Sequence, residues 1–426
     1  MDGLRTIITF IIVFGLIVIV HEFGHYFMAK RSGILVREFS IGMGPKLFQH
    51  QSKDGTTYTI RWLPLGGYVR MAGEGEDESE LRPGTPVAIE VDPAGVVQTI
   101  NLSKKVQLAN ALPLEVTETD LEDKLFIAGY IIGNEDEVKQ FPVDHDAELI
   151  EEDGTKIRIA PRDVQFQSAR LSRRILTNFA GPFNNFLLGT VLFIIVIFMQ
   201  GGVPDYQTNQ LGSVVKDSPA AAAGLKAGDR VTAIDGKKTS SWQDITSSIT
   251  AGGGKALTLT VKRGTKTQQA TVTPKITEQN GQKVAQVGIG VQMKTGFGEK
   301  LIGGFTTAWQ NSLQIFKALG NLITGFSLNK LGGPVMIFKL SSEAAKSGLL
   351  TVITFTAMLS MNLGIMNLLP IPALDGGKLV LNAIEGVRGK PLSPEKEGIL
   401  TMISFVLLLI LMIAVTWNDF QRFFIK

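Results

Sequence analysis

Four segments of this chain are apolar and long enough to cross a bilayer. They run from about Thr6 to Ala29, from Ile175 to Gln200, from Leu349 to Pro370 and from Gly398 to Trp417. Lipid offers no hydrogen-bonding partner, so each segment has to satisfy its own backbone, and a helix does that. The expected class is therefore a polytopic α-helical membrane protein with four transmembrane helices. A mean hydropathy of +0.18 over 426 residues leaves sizeable soluble parts between them. The first segment does not read as a cleaved leader. Only Arg5 precedes its core, no small-x-small site follows, and a polar motif comes next.

Loop charges orient the bundle. Lys30, Arg31, Arg37 and Lys46 follow the first segment, and Arg170, Arg173 and Arg174 precede the second. Lys378, Arg388, Lys390 and Lys396 lie between the third and fourth. If the spans alternate, all three clusters share one side, which is the cytoplasmic side by the positive-inside rule. The N- and C-termini and the stretch from 201 to 348 are then extracytoplasmic. A net charge of +3 carries no signal for nucleic acid.

The first span ends in His21-Glu22-Phe23-Gly24-His25, so ionisable groups stand where lipid should be. On a helix, residues i and i+4 share a face, so both imidazoles can reach one ion. Glu22 lies about 100° round the axis, where it can touch a metal-bound water rather than the metal. Intramembrane ionisable groups are costly and face a partner or a water-filled cavity. With four histidines in the whole chain, a chance pair at this spacing is a weak alternative.

Catalytic zinc takes three protein ligands and a water, so two histidines are one short. Cysteine is absent, which removes thiolate ligands, thiol catalysis and disulfides together. His50 and His145 read as loop residues outside the spans. The third ligand should be a carboxylate close to another span, and Asp375 at the end of the third is the nearby acid. Pro370 and Pro372 forbid a continuous helix there, and irregular backbone at membrane depth is tolerated where it lines a cavity. Zinc with Asp375, Glu22 and two neutral histidines sums to zero charge, which suits a low dielectric.

Between the spans, residues 31–74 read as strand-like runs broken at Gly66-Gly67, and 75–170 as a β-rich cytoplasmic region. The acidic run at 73–80 reads as a solvated loop. "SPAAAAGLKAGDRVTAIDG", from Ser218 to Gly236, with the strands and single helix around it, resembles a PDZ domain of the bacterial protease-associated kind. Such domains take an extended peptide beside a strand. Whether this groove is filled or only shields the membrane part stays open. Residues 305–340 have helical periodicity and suit amphipathic helices on the outer membrane surface, against the PDZ domain, or in the core.

Together, H-E-x-x-H in the first span and N-x-x-P-x-P-x-L-D-G from Asn367 to Gly376 resemble the site-2 protease family of intramembrane zinc proteases. "PLGGYVRMAGE" (64–74) and "FAGPFNNF" (179–186) are similar to its bacterial RseP branch, nearest the Gram-positive RasP/Eep-like members with one PDZ domain. The resemblance implies Zn2+ held by His21, His25 and Asp375, with Glu22 as general base and then acid. It implies that Gly66, Gly67 and Tyr68, in a membrane-associated β element, contact substrate, and that Asn362 and Asn367 face the catalytic cavity. Asn185 would be a polar packing residue close to the site. Implied partners are the bilayer and single-span membrane proteins or signal-peptide remnants, pre-cut by another protease. The implied location is the bacterial cytoplasmic membrane, with the active site towards the cytoplasm.

The resulting domain plan is 1–30, first span with H-E-x-x-H; 31–74, β element; 75–170, β-rich region; 171–200, second span; 201–296, PDZ domain; 297–348, amphipathic helices; 349–397, third span with L-D-G; and 398–426, fourth span and tail. A CAAX-processing zincin would take a downstream Glu as ligand and carry no PDZ domain. A transporter or membrane scaffold would not need Glu22.

Overall fold

The first helix, α1, covers Asp2–Arg31. A computed structural model describes residues 2–73, 81–279, 282–325 and 327–425, so the acidic run beyond Gly73 lies outside the described residues. The chain divides into two units, Met1–Thr190 with Gln310–Lys426, and Val191–Trp309. Four described helices are long and apolar enough to cross a membrane: Gly3–Arg31, Leu171–Met199, Leu349–Asn367 and Glu395–Phe423. Many apolar side chains of the first and fourth are exposed, as expected where lipid rather than protein is the solvent, and fewer of the second and third.

In the first unit, α1 leads into β1 (Val36–Gln51) and β2 (Thr57–Met71), which pair antiparallel with several register shifts. The first part of β1 lies between two stretches of β2: Ile41 is opposite Gly67 on one side and Ile60 on the other. Among the described residues, 67–71 thus has a strand partner on one side only. A small core of Ala29, Ile34, Val36, Met71 and Phe166 fastens this sheet to the end of α1. The Tyr26 and Tyr58 hydroxyls, 2.7 Å apart, add a second tie.

The region after it closes on itself. Strands β3 (Pro86–Val91), β4 (Val97–Asn101), β5 (Leu112–Asp120), β6 (Phe126–Ile131), β7 (Asn134–Ile150) and β8 (Lys156–Arg158) form a sheet in the order β4-β3-β5-β6-β7-β8. An extra parallel pairing of β4 with β7 joins the ends of five strands into a small barrel. Ile89, Ile100, Leu114, Val116 and Ile127 fill it, each fully buried.

Helix α2 (Leu171–Met199) contains Pro182. Residues 191–309 carry β9 (Val203–Pro204), β10 (Leu211–Val214), α3 (Pro219–Ala222), β11 (Arg230–Ile234), β12 (Lys237–Lys238), α4 (Trp242–Gly252), β13 (Leu257–Arg263), β14 (Lys266–Val272), β15 (Lys275–Gln279), β16 (Gln282–Gln286), β17 (Ile289–Val291) and β18 (Met293–Lys294). Strands run β12-β11-β13-β14 in the main sheet, with pairs β10–β17, β15–β16 and β18–β9 beside it. Ser241 and Asp244 form a capping box at the start of α4, and Ile245 and Ile249 of that helix enter the core with Val231, Leu259 and Val261. Asp229, fully buried, accepts from the Arg263 Nε and Nη2 at 2.7 Å each.

The remaining helices are α5 (Phe297–Thr324), α6 (Pro334–Ser347), α7 (Leu349–Asn367), α8 (Asp375–Arg388) and α9 (Pro394–Phe420). On α5, Ile302, Phe305, Trp309, Leu313 and Phe316 are exposed, so the core alternative for this stretch does not hold for them. Asp419 of α9 is buried and accepts from the Gly333 and Met336 amides, capping α6 from outside its own sequence.

The helix break expected at Pro370 and Pro372 is present, and one expectation changes. The third span stops at Asn367, and a new helix begins at Asp375; Pro370 and Pro372 lie in the turn between, where proline removes helix-forming N–H donors. His50 and His145 lie in strands rather than loops: His50 pairs opposite Tyr58, and His145 stands exposed on β7 with its Nε2 3.0 Å from Asp163. A single polar residue within a strand carries no periodic signal of its own.

Candidate metal centre

His21 and His25 sit one turn apart on α1, both buried, and their Nε2 atoms are 3.3 Å apart. Asp375, the first residue of α8, brings its Oδ2 to 3.3 Å from His21 Nε2 and 3.4 Å from His25 Nε2. Among the described residues this trio is the one His/Cys/Asp/Glu group able to hold a metal. Zinc with bonds of about 2.0–2.1 Å at tetrahedral angles needs ligand atoms about 3.3 Å apart. The three observed separations meet that requirement, so these residues fit zinc.

Gly376 and Gly377 allow Asp375 to be there. A Cβ on Gly376 would run into the carbonyl groups of Leu368 and Leu369, and one on Gly377 into that of Ile371. The end of α7 therefore folds back directly onto the start of α8.

Helix α2 supplies no ligand but frames both histidines. His25 Nδ1 donates to the Thr177 carbonyl at 2.8 Å. This fixes the proton on Nδ1 and leaves Nε2 free to bind a metal. Gly181 makes room, since a Cβ there would overlap the His25 ring. The next residue is Pro182, which has no N–H for the i−4 carbonyl. Further along, Asn185 is fully buried, with its Nδ2 3.0 Å from His21 Nδ1. The Asn185 Oδ1 is buried without a hydrogen-bond partner. Asn184 donates to the Val20 carbonyl at 3.1 Å. Ser360 of α7 donates to the Asn185 carbonyl at 2.9 Å. Arg174 forks onto Glu385 of α8, Nη1 to Oε2 at 2.9 Å and Nη2 to Oε1.

Glu22 is not one of the three converging groups. Its side chain turns towards β2, where Gly67 lies against it. Gly66 takes a positive φ of 82° beside Met43, a conformation that glycine adopts without strain. Tyr68 belongs to a charged network: its hydroxyl accepts from Arg61 Nη2 at 2.7 Å, and Arg61 also donates to Glu38 at 2.8 Å. Burial pushes the Glu38 carboxyl up, but hydrogen bonds from Thr59 and Arg61 outweigh it and hold the group below its ordinary range. Asn367 Nδ2 reaches 3.5 Å from His21 Nε2. Asn362, about 140° round the helix from Asn367, is exposed and is not brought to the trio.

Sequence reasoning missed Arg174, Thr177 and Asn184 as framing residues, along with Glu385 and Ser360. A signal was available in α2. Arg174, Thr177, Asn178, Gly181 and Asn185 recur at three- and four-residue spacing in a mostly apolar helix, forming one stripe of small and polar groups.

Residues 9–411 match Peptidase family M50. An Enterococcus faecalis protein named "Probable protease eep" is 60% identical over 99% of this chain and 100% of its own length. A Lactococcus lactis protein, described by its name as a zinc metalloprotease, is 52% identical over 99% of this chain and 100% of its own. Among solved structures, the PDZ domain of an SdrC-like protein from Listeria monocytogenes is 31% identical, covering 20% of this chain and 88% of that one, with a TM-score of 0.18.

Proposed function

The chain belongs to peptidase family M50 and is a multi-pass membrane zinc metalloprotease, and from that premise we propose that it cuts within the bilayer. Its substrates are single-span segments, such as anti-sigma factors or remnant signal peptides, in regulated intramembrane proteolysis. The observation that carries the proposal is the convergence of His21, His25 and Asp375 to 3.3–3.4 Å, with two of the three on an apolar helix long enough to span a membrane.

His21, His25 and Asp375 would hold the zinc, which would polarise the scissile carbonyl and lower the pKa of a bound water to about 7. Glu22 would serve as general base, taking a proton from the attacking water as the water oxygen bonds to the carbonyl carbon. Glu22 then gives the proton to the departing amide nitrogen as the C–N bond breaks. Asp375 and Glu22 balance the charge of the ion, and the histidines stay neutral. The Asn367 amide beside His21 is a donor for the substrate backbone.

A helical substrate hides its carbonyls, so it must unwind, and its freed backbone then needs partners. The Gly67–Met71 stretch of β2 has an open edge next to Glu22, which supports a strand-addition mode there. Gly66 and Tyr68 shape that edge through the turn and the Arg61 network. The cytoplasmic clusters at 30–46, 170–174 and 378–396 support an active site towards the cytoplasm, with both termini and a PDZ domain at 201–296 outside.

Two variants test the roles. Glu22→Gln abolishes cleavage of a single-span substrate while keeping zinc, and substantial proteolysis by it removes the general-base role. Asp375→Asn lowers zinc content, and unchanged stoichiometry removes Asp375 from the ligand set.

A further inference from the structure

The contact between Asn185 and His21 joins two nitrogens. Asn185 Nδ2 stands 3.0 Å from His21 Nδ1, and the amide oxygen on the other side has no partner although both residues are buried. A ring that binds zinc through Nε2 carries its proton on Nδ1 and needs an acceptor there. An amide nitrogen is only a donor. Turning the carboxamide by half a rotation exchanges oxygen for nitrogen with little change in shape. No existing bond is lost on the far side, because Oδ1 makes none.

We propose that Asn185 is a positioning residue for His21: its carboxamide oxygen accepts the Nδ1–H and holds the ring in the tautomer that gives Nε2 to zinc. His25 supplies the matching half. Its Nδ1 donates to the Thr177 carbonyl, two turns earlier on the same helix. Helix α2 thus sets both rings from one stripe of residues while contributing no ligand. Asn185 is itself held from α7. Ser360 fixes its carbonyl, and Gly364 lies close to its Cβ, where any Cβ on Gly364 would stand 3.3 Å away.

The proposal rests on His21 being a zinc ligand. The test measures zinc affinity of the purified full-length chain in detergent by competition with a chelator, and thermal unfolding of the same samples. Asn185→Leu keeps the branching at Cγ but offers no acceptor, and its affinity is expected to fall by about 10–100-fold. Asn185→Asp keeps shape and acceptor and is expected to stay within about threefold of wild type, well inside the loss that a missing outer partner causes. A residue that only packs gives the opposite order, because a new buried charge harms packing more than an isostere does. Equal affinity in wild type and Asn185→Leu, or Asn185→Asp weaker than Asn185→Leu, overturns the proposal. If Asn185→Leu does not yield folded protein, Asn185→Asp decides alone, and a loss of tenfold or more overturns the proposal. Full zinc retention by His21→Ala instead fails the ligand assignment, a separate result.

Discussion

Gly67 lies against Glu22 with no space between them. A Cβ on Gly67 would stand 3.1 Å from the Glu22 Cγ, 3.1 Å from the Val18 Cγ1 and 2.6 Å from the Ser40 carbonyl oxygen. The edge of β2 and the proton-transfer group are therefore one packed unit. Gly67→Val must push either β2 or Glu22 aside, and misplacement by about 1 Å can cost on the order of 100-fold in rate. The expected outcome is a loss of that size in cleavage with zinc content unchanged. Wild-type turnover by Gly67→Val contradicts the coupling of this edge to catalysis.

Arg174 and Glu385 couple the helix that frames the histidines to the helix that carries Asp375. Their side chains are 10% and 16% exposed, so removing one leaves the other charged and poorly solvated. Such a loss costs about 3–5 kcal/mol, whereas replacing both with apolar groups is often close to neutral. Arg174→Met and Glu385→Met should each lower thermal stability in detergent markedly, and the double variant should recover most of it. Additive losses in the double-mutant cycle would show that the pair does not act as a unit.

The unit at 191–309 has a pH signature of its own. Hydrogen bonds from Arg263 hold the buried Asp229 carboxyl below its ordinary value, against the opposing effect of burial. A depressed folded-state pKa adds stability above the unfolded value of about 3.9, and that stability is lost as pH falls through the folded value. Arg263→Gln removes the depression, so amide protection across Leu257–Arg263 should be lower than in wild type above about pH 4, with the gap closing as pH falls. Hydrogen exchange of the full chain across a pH series reads this, and coincident profiles would deny Asp229 the role.

The parts of the site legible in the sequence are those written in local spacing. H-E-x-x-H gives its own geometry, and Asp375 stood out because spans with few acids leave little choice of third ligand. The family resemblance rested on the same short motifs, and the M50 match agrees with it. What spacing could not supply is how α2 is turned about its own axis. Asn185 therefore read as packing, and Thr177, whose backbone rather than side chain does the work, carried no signal. Glu385 carries no spacing signal of its own, and only helix α8 places it against Arg174. The barrel at 86–150 was invisible for a related reason: its closing pair, β4 with β7, joins residues nearly 50 positions apart in parallel register, which no local alternation announces. Asn362, which the resemblance sends to the cavity, is exposed and stands about 140° round α7 from Asn367.

The most direct measurement is cleavage of a purified single-span substrate by the purified chain in detergent, with the cut mapped by mass spectrometry, before and after zinc chelation. The account predicts a cut inside the apolar segment that chelation abolishes and added zinc restores. A cut confined to residues outside that segment, or one that persists after the zinc is gone, would contradict it.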